Sequence, residues 1–380
     1  MKIIVLGAGL VGGPMAADLS LDPGFEVTIA DINLEILGKL AAKHRLKTVC
    51  RDLSDPADVT RLVSDYDMVI NAVPGFMGFQ TFKTIIEAGK NIVDIAFFIE
   101  DPLVLDDLAK QKNVTAVMDC GVAPGMCNVL IGYADHMLDE TDAVVYYVGG
   151  LPVVREWPWE YKAVFSPVDV IEEYTRPARY IENGQMIIKP ALTDPELMNF
   201  PGIGTLEAFN TDGLRSLAFT IKSPNMKEKT LRYPGHIEKM AVLRDTGFFN
   251  QEPVEISGAK IRPIDFTAKL LFPKWKLMEG EQDFTVMQVV VQGKKEGKKM
   301  QYKWDLFDRY DAATQVHSMA RTTGYTATVA LRMIAEGVYS RKGVSVPEFI
   351  GREPACVEYL LEGLRKRGVI YSESVTEIKG

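Results

Sequence analysis

Cysteine and histidine are scarce in this chain, and long uninterrupted apolar runs are missing. Four cysteines and four histidines occur among 380 residues. The cysteines form no C-x-x-C pair, which argues against a disulfide framework or a structural zinc site. No stretch approaches the roughly 18 apolar residues that a membrane-spanning helix needs. We therefore expect a chain without a metal that folds in water, with the cytoplasm as its default location.

An excess of basic residues is also missing. The chain has 43 Lys and Arg against 51 Asp and Glu, a formal net charge of -8. Without a basic stripe it has no means of neutralising a phosphate backbone, so nucleic acid is not expected as a partner. Hydrophobic residues make up 47% and charged residues 25%, as in ordinary globular proteins. This length allows two domains, and a small molecule is the expected ligand.

The first third of the chain alternates short apolar segments with helical patterns. This alternation is typical of βαβ units on a parallel sheet. We predict an α/β domain over residues 1–125, a doubly wound Rossmann sheet of six strands. The predicted strands are the opening KIIVLGA, EVTIAD (26–31), LKTVCRD (46–52), DMVINAV (67–73), NIVDIAF (91–97) and VTAVMDC (114–120).

A glycine-rich turn follows the first predicted strand and opens a helix. Gly7, Gly9 and Gly12 fit the spacing G-x-G-x-x-G. The first glycine permits a tight turn, the second lets a pyrophosphate approach the backbone, and the third allows close packing of helix on strand. Leu10 and Val11 lie within the same turn, where free N–H groups at the helix start bind phosphate. The pattern predicts a dinucleotide site.

Asp31 ends the second predicted strand, nineteen residues after Gly12. A carboxylate at this position accepts hydrogen bonds from the ribose hydroxyls of NAD. The next residues, Ile32 and Asn33, offer no arginine for the 2′-phosphate of NADP. The sequence therefore predicts NAD as the cofactor.

Two further strand ends are candidates for contacts with the dinucleotide. Asp52 ends the third predicted strand, where it is either a hydrogen-bond partner on the adenine side or an exposed strand-end residue. Ala72 and Val73 follow the fourth strand at the crevice where the sheet order reverses. We expect their backbone to contact the middle and the nicotinamide end of the cofactor.

After about residue 140 the pattern changes to longer alternating strands with few helical crossovers. These include DAVVYYVGGLP, ARYIENGQMI, RSLAFTIK, DFTVMQVVVQ and KMQYKWDLFDRY, and GKKEGKK is predicted to be a hairpin tip. From Ala312 a helical pattern returns. We predict a mixed α/β domain with a largely antiparallel sheet over residues 126–311. The helices of residues 312–380 are expected to return to the first domain.

Five ordered motifs lie outside the glycine turn. They are DCGVAPGM (119–126), GGLP (149–152), YKAVFSP (161–167), EEYTRPARYIENG (172–184) and TLRYPGH (230–236). These motifs resemble those of the saccharopine dehydrogenase family, and the resemblance runs from residue 1 to about 340. Within that family, EEYTRPARYIENG is most similar to the NAD-dependent L-lysine 6-dehydrogenases.

The resemblance implies oxidative deamination of the lysine ε-amine, giving an aminoadipate semialdehyde that cyclises to a piperideine carboxylate. It also implies an amino-acid-binding second domain that supplies a dimer contact, so a homodimer or homotetramer is expected. Relatives that act on saccharopine or carboxynorspermidine share the same domain organisation, so a saccharopine or carboxynorspermidine dehydrogenase is the second interpretation. A third is a nucleotide-sensing protein that has kept the dinucleotide site and lost catalysis.

Asp119 and His236 are the candidate catalytic residues. Oxidation of a C–N bond needs a neutral amine, so the site requires a base or a slot of low polarity. Asp119 ends the sixth predicted strand, where it either orients the amine or caps the next helix. His236 has the usual side chain for acid/base chemistry, or is a hydrogen-bonded loop residue.

Arg176 is the candidate for binding the substrate carboxylate, because a guanidinium binds a carboxylate through two hydrogen bonds. Its alternative role is a salt bridge with Glu172 or Glu173. Arg232 is a further candidate for binding substrate. Tyr161 and Tyr174 are predicted to line the aliphatic part of lysine, although such aromatic residues also occur in ordinary cores. Those two tyrosines and Arg232 all lie in the family motifs.

Overall fold

The computed structural model describes residues 1–278 and 280–378. The chain divides into two compact units. The first contains Met1–Met137 and Met319–Tyr371, and the second contains Leu138–Ser318 and the segment that starts at Ser372. The units therefore change over at residues 137, 318 and 371, whereas the predicted boundaries are 125 and 311, with all of residues 312–380 returning to the first domain.

Seven parallel strands form the sheet of the first unit, numbered here along the whole chain. They are β1 (Lys2–Leu6), β2 (Glu26–Asp31), β3 (Lys47–Cys50), β4 (Met68–Asn71), β5 (Asn91–Asp94), β6 (Thr115–Val117) and β17 (Gly343–Ser345). Their order is β17-β6-β5-β4-β1-β2-β3, with parallel register at every pair. The direction of winding reverses between β1 and β4. The predicted doubly wound sheet is confirmed, and β17 extends it by a strand that was not predicted.

Helices cover this sheet and begin at recognisable sequence signals. Asn33 accepts hydrogen bonds from two backbone N–H groups at the start of α2, and Asp55 caps α3 ahead of a proline. The helices of the unit are α1 (Gly12–Leu19), α2 (Leu34–Lys43), α3 (Pro56–Val63), α4 (Gly75–Glu87), α5 (Asp106–Gln111), α6 (Met126–Met137), α11 (Tyr325–Ala335), α12 (Pro347–Gly351) and α13 (Pro354–Arg365).

Close packing of α6 on α12 explains why the first unit extends to residue 137. A Cβ on Gly132 would overlap the carbonyl oxygen of Glu348, and one on Gly351 would overlap that of Val129. The two backbones therefore approach closely at both glycines, as glycine alone permits. This contact joins α6 to the C-terminal helices of the same unit.

The helical pattern that starts at Ala312 does not become one helix. Residues 311–316 form a turn in which Asp311 accepts hydrogen bonds from the backbone N–H of Ala313 and the hydroxyl of Thr314. A π-helical stretch, Ala320–Gly324, then leads into α11. Local hydrogen bonds of Asp and Thr compete with helix formation, which explains the late start.

The second unit contains a nine-stranded mixed sheet and a separate hairpin. Its main path is β10-β11-β12-β7-β15-β16-β18; β7 and β12 are parallel, and β7–β15, β15–β16, β10–β11 and β11–β12 are antiparallel. The strands are β7 (Glu140–Pro152), β8 (Ala178–Glu182), β9 (Gln185–Lys189), β10 (Glu196–Phe200), β11 (Gly204–Asn210), β12 (Asn225–Arg232), β13 (Val254–Ile256), β14 (Ala259–Ile261), β15 (Asp283–Lys295), β16 (Lys298–Arg309) and β18 (Tyr371–Glu377).

The structure confirms one predicted hairpin tip and differs from two of the predicted strands. The β15–β16 hairpin closes at Glu296 and Gly297, both with positive φ, within the predicted GKKEGKK tip. ARYIENGQMI is a hairpin rather than one strand, because Asn183 and Gly184 have positive φ and join β8 to β9. RSLAFTIK is not a strand: it contains a short helix, α8 (Leu217–Thr220).

Three longer helices of the second unit pack on its sheet: α7 (Pro167–Thr175), α9 (His236–Thr246) and α10 (Pro263–Trp275). They share one apolar core with β11, to which Tyr174, Ile237, Trp275 and Phe209 belong. Leu231 of β12 lies in a different core cluster. Because neighbours along a strand point to opposite faces, Arg232 is directed to the helical side.

Candidate functional site

Gly7 and Gly12 form the turn between β1 and α1. Gly7 has φ +100°, and a Cβ there would lie 2.5 Å from the carbonyl oxygen of Ala72. A Cβ on Gly12 would overlap the carbonyl oxygen of Gly7. A side chain at either position would push β1, β4 and α1 apart. These are the packing reasons for which the motif requires glycine.

The middle of the turn is open. Apart from Gly9 and its two chain neighbours, no described residue has an atom within 4 Å of the position of a Cβ on Gly9. Leu10 is half-exposed, and Val11 precedes α1 without a side-chain cap. The first turn of α1 has no acidic residue. This combination of open space and an uncapped helix N-terminus fits a pyrophosphate group.

Asp31 lies beside this turn, at the end of β2. Its Oδ2 accepts a hydrogen bond from Ala8 N at 2.6 Å, and its Oδ1 accepts one from Asn33 N at 2.8 Å. These bonds fix the carboxylate next to the glycine loop. Each oxygen has a second lone pair, so the carboxylate can still accept from ribose hydroxyls.

Arg51 is a residue of this region that the sequence did not bring to attention. Its backbone N–H donates to the carbonyl oxygen of Asp31 at 2.9 Å, so it follows β3 directly beside the end of β2. The prediction of NAD rests on Ile32 and Asn33, directly after Asp31, whereas Arg51 lies much further along the chain. The parallel register of Asp31 with Cys50 is the signal that would have found it.

The remaining predicted cofactor contacts lie at the same edge of the sheet. Asp52 is exposed and accepts a hydrogen bond from Ser54 N at 2.9 Å, and the bonds to Ser54 lower its pKa. Ala72 reaches the turn through its carbonyl oxygen, and Val73 is buried. The structure thus brings together the strand ends of β1 to β4 in the first unit.

Asp119 follows β6 at the same edge. It is buried, with φ 50°, in the left-handed region that non-glycine residues seldom occupy. The loop after it is closed by hydrogen bonds from Gly121 N to Pro124 O and from Met126 N to Gly121 O. Because α6 begins only at Met126, Asp119 does not occupy a capping position on that helix.

Cys120, the next residue, is an unreactive thiol. It is buried, and burial together with the carboxylates of Asp119 and Asp94 raises the pKa of the thiol. Nucleophilic cysteines need the opposite environment, one that stabilises the thiolate. A packing role follows for Cys120.

Four of the predicted site residues form one buried group in the second unit, together with Glu173; we call it the Arg232 cluster. Arg232 donates from Nη2 to Glu173 at 2.6 Å and from Nε to the hydroxyl of Tyr174 at 3.2 Å. The Tyr174 hydroxyl lies 3.0 Å from Nε2 of His236. The guanidinium lies over the ring of Tyr161, 4.7 Å from its centre.

His236 is neutral in this cluster. Burial and the nearby charge of Arg232 lower its pKa to about 3. Its Nδ1 lies 2.9 Å from the carbonyl oxygen of Trp159, so Nδ1 carries the proton and Nε2 accepts from Tyr174. Both ring nitrogens are therefore engaged by the protein, in an environment unlike the acid/base role that the sequence suggested.

Both candidate arginines lie beside glutamates of α7. The third nitrogen of Arg232, Nη1, donates to the carbonyl oxygen of Leu231 at 2.9 Å. Burial raises the pKa of Glu173, and its bond to Arg232 opposes that rise. Arg176 ends α7 and lies 3.4 Å from Glu172, one of the two salt-bridge partners considered from the sequence.

Glu173 belongs to the Arg232 cluster and Trp275 packs against it, although neither residue is among the predicted site residues. Glu173 precedes Tyr174 in the motif and was considered only as a partner of Arg176. Trp275 packs edge-on against Tyr161, with ring centres 5.5 Å apart. It ends α10, a helix that the sequence did not predict, so no signal connected it to the site.

Neither a metal-binding cluster nor a membrane-spanning helix is formed within residues 1–278 and 280–378. No group of three or more His, Cys, Asp or Glu in these ranges is arranged to hold a metal ion. No helix in them is long and apolar enough to cross a membrane.

Known proteins resemble the chain along its length. It is 27% identical over 278 residues to the mitochondrial alpha-aminoadipic semialdehyde synthase of Mus musculus, covering 69% of this chain but 30% of that protein. It is 25% identical over 377 residues to carboxyaminopropylagmatine dehydrogenase of Synechocystis, covering 93% and 94%. It is 24% identical over 392 residues to carboxynorspermidine synthase of Vibrio cholerae, covering 93% of each.

A solved structure shares the fold. Apo histidine-tagged saccharopine dehydrogenase (L-Glu forming) from Saccharomyces cerevisiae superposes with a TM-score of 0.80 at 19% identity, covering 99% of both chains. The family model for the saccharopine dehydrogenase NADP binding domain matches residues 3–117, and the model for the saccharopine dehydrogenase C-terminal domain matches residues 121–369. The chain belongs to the saccharopine dehydrogenase family, whose members are nicotinamide-dinucleotide-dependent oxidoreductases that act on C–N bonds.

Proposed function

We propose that this protein is an NAD-dependent dehydrogenase that oxidises the C–N bond of an amino-acid amine, with the ε-amine of L-lysine as its substrate. The main support is the position of the Asp31 carboxylate, which hydrogen bonds from Ala8 N and Asn33 N hold beside the open glycine turn. A fixed negative charge at this place favours two ribose hydroxyls over a 2′-phosphate. The motif EEYTRPARYIENG supports lysine as the amine.

Different residues of the first unit bind different parts of the dinucleotide. Gly9 leaves room for the pyrophosphate, the start of α1 supplies N–H donors, and Asp31 accepts from the ribose. Ala72 and Val73 supply backbone contacts towards the nicotinamide. When bound, the nicotinamide accepts the hydride that leaves the substrate carbon.

The chemistry also needs the amine to be neutral. Free lysine has a pKa of about 10.4, so at pH 7 nearly all of its ε-amine is protonated. Loss of one proton from the ε-ammonium gives the neutral CH–NH2 group, and loss of hydride from its carbon then gives an iminium, the protonated imine. Water then adds to the imine carbon and ammonia leaves, giving the semialdehyde. A nearby oxygen acceptor that takes the amine proton would serve the first step, and the same group can assist the water.

Asp119 is the residue to which we assign this role. It lies at the carboxyl edge of the sheet, where open α/β sheets bind their ligands. Its left-handed backbone is a strained conformation of the kind that is retained at functional sites. His236 is less suited, because it is neutral and both of its nitrogens are engaged. For Arg176 we retain the carboxylate-binding role as a proposal.

A second candidate function is favoured by the coverage of the relatives. The chain spans less than a third of the Mus musculus relative but nearly all of carboxyaminopropylagmatine dehydrogenase and carboxynorspermidine synthase. An activity on such carboxyalkylated amines, with the cofactor used in the reducing direction, is therefore the alternative. Arg51, beside Asp31, would then meet the 2′-phosphate of NADPH.

Formation of NADH tests the proposal directly. We expect the purified protein with NAD and L-lysine at about pH 9 to 10 to raise the NADH absorbance without 2-oxoglutarate. D-lysine and NADP serve as controls for substrate and cofactor. Turnover of saccharopine or carboxynorspermidine, with none of lysine, would move the protein to the second candidate function.

Replacing Asp31 by alanine is expected to raise the Michaelis constant for NAD by about tenfold to a hundredfold, because a charged hydrogen-bond acceptor is lost. The Michaelis constant for lysine should change little. Steady-state kinetics with each substrate varied in turn measure the two effects.

Asp67→Ala is the matched control for this change. Asp67 also accepts a backbone hydrogen bond at a strand end, from Lys2 N at 2.7 Å, but at the opposite edge of the sheet. It should leave both constants near those of the wild type. Equal effects of Asp31→Ala on NAD and on lysine would contradict the assignment.

A further inference from the structure

A buried polar pair joins two neighbouring strands of the first unit at the predicted ligand edge. Asn71 ends β4 and Asp94 ends β5, and the two residues are opposite each other in the parallel register. Neither has any exposed surface. The amide Nδ2 of Asn71 donates to Oδ2 of Asp94 at 2.6 Å. The side chains therefore add a direct bond between strands that already share backbone hydrogen bonds.

The surroundings of the pair are apolar. Val69 and Ile92 lie two residues before Asn71 and Asp94, and Val73 and Ala96 two residues after them; all four belong to one core cluster. A polar pair in such a core adds little net stability, and apolar residues of similar volume usually serve as well. Stability therefore does not explain why these two residues are polar.

The pair leaves one of its acceptors unpaired. The Oδ1 atom of Asn71 is buried and finds no donor among the described residues. Rotating the amide would not help, because its oxygen would then face the carboxylate of Asp94. A buried acceptor without a partner costs free energy, and such groups call for an explanation outside stability.

The bonds of the pair lead to the residues assigned to the cofactor and substrate. Asn71 precedes Ala72, whose carbonyl oxygen packs against Gly7 of the phosphate turn. The other carboxylate oxygen of Asp94, Oδ1, accepts from Ala96 N at 2.7 Å. Its backbone carbonyl accepts from Cys120 N at 2.9 Å, directly after Asp119.

We propose that Asn71 and Asp94 are positioning residues, which fix the ends of β4 and β6 so that Ala72 is placed for the nicotinamide half of the dinucleotide and Asp119 for the reacting amine. The proposal rests on the dinucleotide site of the proposed function but not on lysine as the substrate. Neither residue is assigned a contact with substrate. Their effect is carried by the backbone of the two strand ends.

Exchange and apolar replacement of the pair test this role, with the dissociation constant of NADH as the readout. N71D places two carboxylates face to face and should weaken NADH binding at least about tenfold. In the exchanged variant N71D/D94N an amide again faces a carboxylate, and binding should return to within about threefold of the wild type. Asn91→Asp, at the amino end of β5, is the matched control; Asn91 Oδ1 accepts from Thr115 N at 2.8 Å.

The double variant N71L/D94L distinguishes a positioning role from a role in stability. It tests the proposal even if N71D does not fold. We expect its melting temperature to stay within about 3 °C of the wild type. Its NADH dissociation constant should nevertheless rise about tenfold or more. A folded leucine pair that binds NADH as the wild type does would overturn the proposal. Failure of the wild type to oxidise lysine while it binds NADH would overturn only the substrate assignment.

Discussion

Replacing Asp18 by alanine is expected to lower the free energy of unfolding by about 3–5 kcal/mol. Asp18 lies in α1 and is nearly buried. Its Oδ2 accepts from Arg332 Nη1 at 2.7 Å and from the Thr328 hydroxyl at 2.6 Å, and its Oδ1 accepts from Arg367 Nε at 2.7 Å. Loss of the carboxylate leaves two largely buried guanidinium groups without their shared anion.

Thermal unfolding measures this effect. For a unit of this size, a loss of that order lowers the melting temperature by about 10 °C. NADH should recover part of the loss, because α1 carries the phosphate turn and a ligand that binds the folded state stabilises it. Titration of the variant with NADH during thermal unfolding tests this coupling.

Asp22→Ala is the matched control. Asp22 also pairs with Arg332, at 2.6 Å, but its side chain is 38% exposed. Exposed ion pairs contribute little, so its removal should cost about 1 kcal/mol or less. Similar losses for the two variants would show that burial of Asp18 does not set the strength of the cluster.

Strong local patterns in the sequence were sufficient to predict the sheet of the first unit. Each of β1 to β6 lies within one of the predicted segments. The inner strands are nearly continuous apolar runs because they are buried on both faces, whereas β3 is a largely exposed edge strand. β17 escaped prediction because it has three residues, Gly343–Ser345, and lies between helices. Its place in the sheet depends on pairing with β6, a contact distant in sequence.

The second unit was harder to predict because its helices lack a one-sided apolar pattern. α9 has charged residues around much of its circumference and buries three, His236, Ile237 and Met240. α10 contains Pro273, a residue that usually argues against a helix. Without these helices, the surroundings of Arg232 could not be deduced from sequence.

Contacts between distant segments also limited what could be predicted of the candidate site. Spacing along the chain was enough to predict that Gly7, Gly12 and Asp31 lie together at the turn between β1 and α1, and their role in binding the dinucleotide stays a prediction. Arg51 and the Asn71–Asp94 pair depend on which strands are neighbours, and the sequence does not state the register. The partners of His236 come from three separate segments, and the burial of this residue decides its charge.

Replacing Glu228 by glutamine is expected to stabilise the protein at alkaline pH. Glu228 lies in β12 and is buried, with its carboxyl group facing the hydroxyls of Thr211 and Thr230. Burial raises its pKa to about 8, and the carboxylates of Glu173 and Asp212 act in the same direction. The hydrogen bonds from the two threonines oppose the rise without cancelling it.

The sign of the effect follows from proton binding. Between the ordinary pKa of 4.5 and the folded value of about 8, the folded state keeps a proton that the unfolded state releases. Stability therefore falls as the pH rises through this range and stays low above it. Glutamine mimics the protonated acid and removes this contribution, so the two proteins should differ by up to about 4–5 kcal/mol above pH 8.

Urea unfolding at a series of pH values from 5 to about 9.5 measures the difference between the wild type and Glu228→Gln. Glu182→Gln is the control, because Glu182 is an exposed residue of β8 whose nearest cation, Lys227, lies 3.5 Å away. It should follow the wild type at every pH. Parallel curves for the wild type and Glu228→Gln would show that Glu228 is ionised throughout.

This behaviour bears on the proposed reaction. Lysine oxidation is favoured at alkaline pH, where the ε-amine loses its proton. Ionisation of Glu228 is expected to lower activity at alkaline pH, since it places a buried negative charge on β12, the strand that also carries Arg232. The pH range of activity would then be bounded by the substrate amine on the acid side and by Glu228 on the alkaline side. Glu228→Gln should extend the alkaline limit of NADH formation without moving the acid limb, and a shift of the acid limb would place Glu228 in the chemistry itself.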